Sequence, residues 1–337
     1  GNGALLFCGT GRDNGRMPEN QDSARRDAWS AYWAGGGLHS CVGSLDDDYS
    51  GAIGDFWRQV FAALPPGPLQ ALDLATGNGA IPRLLSRHRP DAVIDAVDLA
   101  SLAPAWHDPA AQPGIRFHSG VAMEALPFDD ARFDLVTSQY GFEYARRDEA
   151  LAEALRVLRP GGRLALVMHH AGSVLARVAA AEARHAAMLT TPDGPLACAA
   201  AVLPWLALAR RGGDPGREPA ALAAREAYNR AAIALDRAIR EAATPDLLVE
   251  ARAWLQRLLA GVGPDPAPAA QALARYREAL DAGALRSAEL VEHALDDAAM
   301  ESLLAAIRRS RPDDRLDCRP LSQAEGLLGW ALCLQPA

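Results

Sequence analysis

The residues of this chain best suited to ligand chemistry form a glycine-rich turn, Ala71-Leu-Asp-Leu-Ala-Thr-Gly-Asn-Gly79. The apolar run at 69–74 is typical of a buried parallel strand, and a helical pattern starts at Ala80. Gly77 and Gly79 allow the backbone to turn sharply and to approach a ligand without an intervening Cβ. A strand, a glycine loop and a helix in this order can hold a nucleotide-like ligand at the helix N-terminus.

Strand and helix patterns alternate around this loop, which predicts a doubly wound parallel sheet with helices on both faces. The predicted strands of this region are 69–74, 92–97, 115–118, 133–138 and 163–168, and the predicted helices are 80–89 and 148–158. An Arg-Pro-Gly-Gly sequence at 159–162 predicts a break between the second helix and the fifth strand. Two further apolar runs, 316–321 and 328–334, are joined by a short connection and predict an antiparallel pair.

Changes in composition divide the chain into five segments. They are an appended or read-through tail (1–16), an N-terminal helical lid rich in aromatic residues (17–68), the ligand-binding α/β core (69–170), a helical insertion of five or six helices (171–310) and the C-terminal strands that complete the sheet (311–337).

The composition excludes several kinds of chemistry. The chain has 337 residues and a net charge of −8, and all 34 of its basic residues are arginine. Without lysine there is no Walker P-loop, no pyridoxal phosphate Schiff base and no Tyr-x-x-x-Lys dehydrogenase pair. The acidic balance disfavours a nucleic-acid partner. The five cysteines form no Cys-x-x-Cys pair, so neither a metal site nor a disulfide framework is expected.

The sequence also predicts a cytoplasmic location. No run reaches the roughly 18 consecutive apolar residues that a membrane span needs, and the first residues do not form a signal-peptide pattern.

Three blocks carry a family resemblance. They are Asp73-Leu-Ala-Thr-Gly-Asn-Gly79, Glu124-Ala-Leu-Pro-Phe-Asp-Asp-Ala-Arg-Phe-Asp-Leu-Val-Thr-Ser138 and Ala154-Leu-Arg-Val-Leu-Arg-Pro-Gly-Gly-Arg-Leu-Ala-Leu166. In order and spacing they resemble the class I S-adenosylmethionine-dependent methyltransferases, in particular the small-molecule branch that includes the quinone-biosynthesis C-methyltransferases. The resemblance implies a seven-stranded Rossmann-like sheet with an antiparallel last strand and a large helical insertion between the fifth and sixth strands.

The resemblance also implies a binding site for S-adenosylmethionine at the carboxyl ends of the strands. Gly77 and Gly79 would pass under the methionine and ribose portions. Asp98, which follows Gly79 by 19 residues, would bind the ribose hydroxyls, with a helix N-cap as its alternative role. The implied cofactor contacts are Asp73, Ala75, Gly77, Asn78, Gly79, Asp98, Leu99, Ala122, Met123, Ser138, Gln139 and Tyr49.

The sequence departs from the family pattern at two positions. Ala75 replaces the first glycine of the loop, and Ala122 stands where the family usually has an acid near the adenine. Adenine recognition is therefore expected to use backbone groups of Ala122 and Met123, with Leu99 beside the ring. Asp73 would either brace the loop or receive the ammonium group of the ligand through water.

Methyl transfer needs alignment of the acceptor and, for a protonated acceptor, a base. His169 and His170 follow the fifth strand, and Glu143 and Tyr144 follow the fourth, so these residues are candidates for binding or deprotonating the acceptor. For each of them a structural role in a loop, cap or core is the alternative. His39 in the N-terminal loop is a further candidate over the cleft.

The predicted activity is methylation of oxygen, nitrogen or carbon on a small organic acceptor, such as a secondary metabolite. The insertion would form a cap over the acceptor, or else mediate formation of a homodimer. The alternatives are a protein or RNA methyltransferase, a non-catalytic cofactor-binding subunit and, more remotely, a nicotinamide dehydrogenase.

Overall fold

The computed structural model of the chain describes residues 19–36, 38 and 49–337. The predicted tail at 1–16 and the candidate His39 lie outside the described residues. The strands of the described part are β1 (Gln70–Leu74), β2 (Val93–Asp98), β3 (Ile115–Ser119), β4 (Phe133–Gln139), β5 (Leu158–His169), β6 (Arg315–Gln323) and β7 (Gly326–Gln335). They form one sheet in the order β3-β2-β1-β4-β5-β7-β6.

The pairing of the strands confirms the predicted fold class. β1 pairs in parallel with both β2 and β4, β5 pairs in parallel with β4, and β7 is antiparallel to both β5 and β6. The strand order reverses between β1 and β4, which makes the carboxyl ends of these two strands the switch point of the sheet. Ligands of open α/β sheets bind in the crevice at such a point.

Helices cover both faces of the sheet. They are α1 (Glu19–Ala34), α2 (Gly51–Ala62), α3 (Ala80–His88), α4 (Arg147–Val157), α5 (Val174–Thr190), α6 (Pro195–Arg210), α7 (Pro219–Glu241), α8 (Asp246–Ala260), α9 (Ala267–His293) and α10 (Asp297–Ser310), with short 3-10 turns at Phe142–Tyr144 and Pro215–Arg217. Alternate residues of each strand face opposite sides. On β5, Ala165 and Val167 pack in the cluster with α2 and α3, whereas Leu164 and Leu166 pack in the cluster with α4 and α10.

The fifth strand is longer than the sequence predicts. It begins at Leu158 rather than at Arg163, so the predicted break at 159–162 lies inside the strand. The pairing with β4 resumes at Arg163 after a register shift. Gly161, with φ of +79°, supplies the left-handed backbone that this irregularity requires. A Pro-Gly-Gly sequence therefore marks a bulge here, not the end of an element.

The segment between β5 and β6 is helical, as predicted. Its helices α5 to α9 share a hydrophobic core of their own, in which Leu189, Leu248 and Ala251 are completely buried. α10 instead packs under the sheet. Among the described residues, Val174–Arg210 is the one stretch long and apolar enough for a candidate membrane span, and it consists of α5 and α6, which pack in this core.

Candidate functional site

Asp98 at the end of β2 holds the glycine loop in place. Its carboxylate accepts the backbone N–H of Gly77 (2.8 Å) and that of Ala100 (2.8 Å), so it joins the loops that follow β1 and β2. Burial raises the pKa of Asp98, and these backbone hydrogen bonds oppose that rise. A carboxylate accepts about four hydrogen bonds in all, so it retains capacity for the hydroxyls of a ligand.

Asp73, on β1, faces the sheet rather than the solvent. It is buried, and the Thr137 hydroxyl donates to its carboxylate over 2.6 Å. Burial raises the pKa of Asp73 to about 7, and the nearby charge of Asp98 adds to that rise. This hydrogen bond ties Asp73 to β4, so both roles predicted for Asp73, bracing the loop and receiving the ammonium group of the ligand, stay predictions.

Ala75 occupies the position where the family pattern has its first glycine. Its φ is +51°, in the left-handed region that favours glycine. Its methyl group packs against Gly141, where a Cβ would overlap it. The loop thus keeps a glycine-like backbone at Ala75 while the small residue needed for close contact is supplied by Gly141.

The aromatic helix α1 lies against the glycine loop. The Trp33 ring covers Gly77, where a Cβ would overlap it, and the Trp33 carbonyl accepts the Asn78 side-chain amide (2.9 Å). The Ser30 hydroxyl accepts the backbone N–H of Ser101 (3.0 Å) next to the β2 loop. α1 therefore stands where the sequence predicts a lid.

Gly79 is enclosed from another side. A Cβ on Gly79 would overlap the rings of Phe117 and Trp106, and the Trp106 indole donates to the Asn78 carbonyl over 2.6 Å. Aromatic rings thus cover both glycines of the loop, which makes the region around the loop largely apolar.

The other predicted cofactor residues surround the same strand ends. The Ser138 hydroxyl donates to the backbone carbonyl of Leu74 (2.9 Å), and the side-chain oxygen Oε1 of Gln139 accepts the Trp57 indole N–H (2.6 Å). The segment with Ala122 and Met123 is tied to β2 because Val121 donates to the Asp98 carbonyl. Leu99 is half-buried beside it. Tyr49 is placed in the buried cluster that contains α2 residues.

These residues fit the nucleoside cofactor that the resemblance implies. The side-chain amide nitrogen of Gln139 is buried and makes no hydrogen bond within the described part of the chain, so it remains able to donate to a ligand. Asp98 can accept further hydroxyls, and the glycine loop offers a surface without side chains. The glycine loop, Asp98 and Gln139 are the groups that would hold the cofactor.

Glu143 and His169 form a buried pair at the ends of β4 and β5. One Glu143 oxygen, Oε1, accepts both the backbone N–H of His169 (2.7 Å) and, as we assign the ring tautomer, its Nδ1–H (2.7 Å). The Tyr140 ring stacks on His169 with 4.1 Å between centroids. Glu143 thereby fixes the imidazole so that Nε2 is the nitrogen able to accept a proton.

His170 points elsewhere. Its Nδ1 accepts the backbone N–H of Gly172 (2.8 Å), its ring stacks on Trp330 at 4.5 Å, and its Nε2 lies 3.8 Å from Asp297. Although His169 and His170 are adjacent in sequence, their side chains have different partners. Of the two, only His169 contacts Glu143.

A second group of polar residues faces this pair from the insertion. Glu289 and His293 on α9 both contact Arg25 of α1: Arg25 Nε donates to Glu289 Oε1 over 2.6 Å, and an Arg25 Nη lies 3.0 Å from His293 Nε2. Arg25 also reaches the Tyr144 carbonyl at 3.5 Å. The sequence reasoning did not identify these residues, although Arg286, Glu289 and His293 recur at helical spacing and form a polar stripe on α9.

Comparison with known proteins agrees with this geometry. Residues 72–166, which include the glycine loop, Asp98 and Glu143, match the family model described as "Methyltransferase domain". Over residues 72–166 the chain is thus similar to a methyltransferase domain.

Individual relatives match about a third of the chain. Demethylmenaquinone methyltransferase of Thermus thermophilus is 41% identical over 117 residues, which are 33% of this chain and 53% of the relative. Malonyl-(acyl-carrier protein) O-methyltransferase of Methylococcus capsulatus is 42% identical over 106 residues, 30% of this chain and 38% of the relative. The chain spans about half or less of the length of these two relatives.

A similar solved structure is 1,6-didemethyltoxoflavin-N1-methyltransferase of Burkholderia thailandensis with bound 1,6-didemethyltoxoflavin and S-adenosylhomocysteine. It is 22% identical, covers 46% of this chain and 65% of that chain, and has a TM-score of 0.37.

Proposed function

We propose that this protein methylates a small organic acceptor with S-adenosylmethionine, at an oxygen or nitrogen that carries a proton. The observation that supports this most directly is the Glu143–His169 pair, which presents an oriented imidazole at the ends of β4 and β5, beside the glycine loop of a methyltransferase domain. A buried carboxylate–imidazole pair is a common arrangement for removal of a proton.

S-adenosylmethionine, when bound, would supply a methyl group that is attached to a positively charged sulfur. The sulfur would keep the electron pair when the carbon–sulfur bond breaks. His169 takes the proton of the acceptor O–H or N–H at Nε2 as the new bond to the methyl carbon forms. Glu143 holds the ring through Nδ1 and stabilises the imidazolium that results. The aromatic residues of α1 would exclude water from the reacting groups.

The cofactor site is proposed at the switch point of the sheet, with the contacts inferred from the sequence. Asp98 would accept the ribose hydroxyls, Gln139 would donate to the cofactor, and Gly77 would approach it once Trp33 moves aside. Backbone groups near Met123 would meet the adenine. Tyr49 is retained as a candidate contact of the closed lid.

Titration calorimetry tests the cofactor. We expect binding of S-adenosylmethionine and S-adenosylhomocysteine, and none of NAD. Asp98→Asn should weaken binding of S-adenosylhomocysteine by roughly tenfold because a charged acceptor is lost. The exposed Asp91→Asn is the matched control and should bind as the wild type does. Binding of NAD alone would refute the methyltransferase proposal.

A screen for methyl transfer to metabolite extracts, read by mass spectrometry, tests the activity. With an acceptor in hand, His169→Gln should reduce kcat by about 100-fold or more, whereas His170→Gln should lose far less. Equal losses in both variants would contradict the assignment of His169 as the base, and full activity in both would assign catalysis to positioning alone.

Three features of the whole protein stay predictions: a cytoplasmic location, a role in secondary metabolism and a homodimer formed through the insertion. Binding of the cofactor without transfer to any acceptor would favour the non-catalytic alternative.

A further inference from the structure

The strongest unassigned feature outside the glycine loop is a group of unpaired acceptor atoms around Tyr144. Glu143 is completely buried and Glu289 is only 8% exposed. Each uses one carboxylate oxygen, and the other oxygen of each makes no hydrogen bond to any residue that the structure describes. Buried acceptors without donors are costly, so a group that supplies donors would be bound favourably there.

Both carboxylates are bound to groups that contact Tyr144. The Tyr144 ring lies 6.1 Å from the His169 ring, which Glu143 holds, and 5.4 Å from the ring of His293. Arg25 connects Glu289 to the Tyr144 carbonyl. Burial, followed by the charges of Glu143 and Glu289, raises the pKa of Tyr144 well above its usual value.

The walls of this place are aromatic and its charge is negative. Trp29 packs edge-to-face on Tyr144 at 5.9 Å, and Tyr140 stacks on His169. Arg25 balances one of the two carboxylates. Burial, followed by the charge of Arg25, lowers the pKa of His293, which keeps that ring neutral at neutral pH. Glu143 has no arginine partner among the described residues and pairs with His169 alone.

From this geometry we infer that α9 of the insertion completes the acceptor site, with Glu289 and Glu143 binding a planar, neutral or cationic acceptor that carries at least two N–H or O–H donors. Anionic acceptors are excluded because a second negative charge would face two buried carboxylates. This inference rests on the proposed function, since it takes the place beside His169 as the acceptor site.

Fragment binding tests the inference without any methyl transfer. The probes are 2-aminobenzimidazole, which is planar and rich in N–H donors, and 2-naphthoate, which is planar and anionic, each titrated by ligand-observed NMR. The wild type should bind 2-aminobenzimidazole at least about tenfold more tightly than 2-naphthoate. Equal affinities, or no binding of 2-aminobenzimidazole, would overturn the inference.

Two variants assign the binding to Glu289. Glu289→Gln should weaken 2-aminobenzimidazole binding by about tenfold or more, and the exposed Glu278→Gln on the same helix should leave it unchanged. Arg25→Met keeps the Glu289 carboxylate and removes its partner, so it should bind the probe as well as the wild type or better. Weakening in Arg25→Met equal to that in Glu289→Gln would show that Glu289 acts only by holding α1, and would overturn the inference.

Calorimetry with S-adenosylhomocysteine on the same samples separates the two proposals. A protein that binds S-adenosylhomocysteine but shows no selectivity between the two probes refutes only the acceptor site. A protein that binds the probe through Glu289 but binds no S-adenosylhomocysteine refutes the proposed function and leaves a donor-binding site of another activity.

Discussion

Close contact between two small residues sets the shape of the glycine loop. Ala75 adopts a left-handed backbone, and its methyl group packs directly on Gly141. A left-handed conformation costs an alanine about 1–2 kcal/mol. This loop therefore depends on a pair of positions that lie in the loops after two different strands, β1 and β4, and that must change together.

A double-mutant cycle tests this dependence. Gly141→Ala should lower the free energy of unfolding by about 1–3 kcal/mol because the new Cβ overlaps the methyl group of Ala75. Ala75→Gly combined with Gly141→Ala should recover most of that loss. Chemical denaturation of the wild type, both single variants and the double variant gives the coupling. Strictly additive effects would show that the two residues do not interact.

The buried carboxyl of Asp73 gives the fold a pH dependence. Its folded-state pKa of about 7 lies above the ordinary value of 3.8. Its contribution to stability is therefore complete below about pH 4, declines as the pH rises towards 7 and is constant above that.

Asp73→Asn should remove this dependence. Between pH 5 and pH 8 the wild type should lose on the order of 2 kcal/mol relative to Asp73→Asn, measured by urea denaturation at both pH values. If the difference in the free energy of unfolding between the two proteins stays constant from pH 5 to pH 8, Asp73 ionises as an ordinary surface carboxyl.

The residues of the site differ in how far the sequence could predict them. The glycine loop and Asp98 lie within one strand–loop–helix–strand unit, so local spacing was enough to locate them. Glu143 and His169 were each predicted as candidates, but nothing local indicated that they pair. Glu289 was missed because its partner Arg25 is 264 residues away, and no periodic pattern reports such a contact.

At the scale of elements, α1 is held from both sides. The loops after β1 and β2 contact its C-terminal half at Trp33 and Ser30, and α9 contacts its other side. Arg286 of α9 donates to the Ala28 carbonyl and lies over the Tyr32 ring, 4.7 Å from its centroid. The N-terminal helix is thus as dependent on the insertion as on the sheet.

Arg286→Met should loosen α1 selectively. We expect faster backbone amide hydrogen exchange in residues 25–34, because a hydrogen bond and a cation–π contact are lost, and unchanged exchange in α2. The exposed Arg275→Met on α9 is the control. Equal protection of α1 in Arg286→Met and wild type would show that the sheet alone holds this helix.

The elements themselves were predicted well where the pattern was strong. All seven strands and the helical character of 171–310 follow from apolar periodicity. The predicted beginning of β5 was wrong because a Pro-Gly-Gly sequence can form a bulge inside a strand as readily as a turn between elements. Only the pairing with β4 distinguishes a bulge from a turn.

At the scale of the whole molecule, the described part has separate hydrophobic cores for the sheet and for the insertion. Leu248 is completely buried in the insertion core and Leu222 is partly exposed on α7. The two cores should therefore respond to mutation separately.

Leu248→Ala should destabilise the insertion by about 2–5 kcal/mol, and Leu222→Ala should have little effect. S-adenosylhomocysteine binding by calorimetry, measured below the first thermal transition, should persist in Leu248→Ala because the glycine loop belongs to the sheet core. Loss of that binding together with the insertion would show that the two parts unfold as one unit.

The ion pair between α1 and α9 has a consequence for engineering by segment exchange. A transplanted insertion would arrive with Glu289 and His293 on a face that matches only its own N-terminal helix. Moved alone onto another sheet, it would leave the Glu289 carboxylate without its arginine partner at the new junction. Chimeras should therefore exchange the two segments together, even though most of the chain separates them.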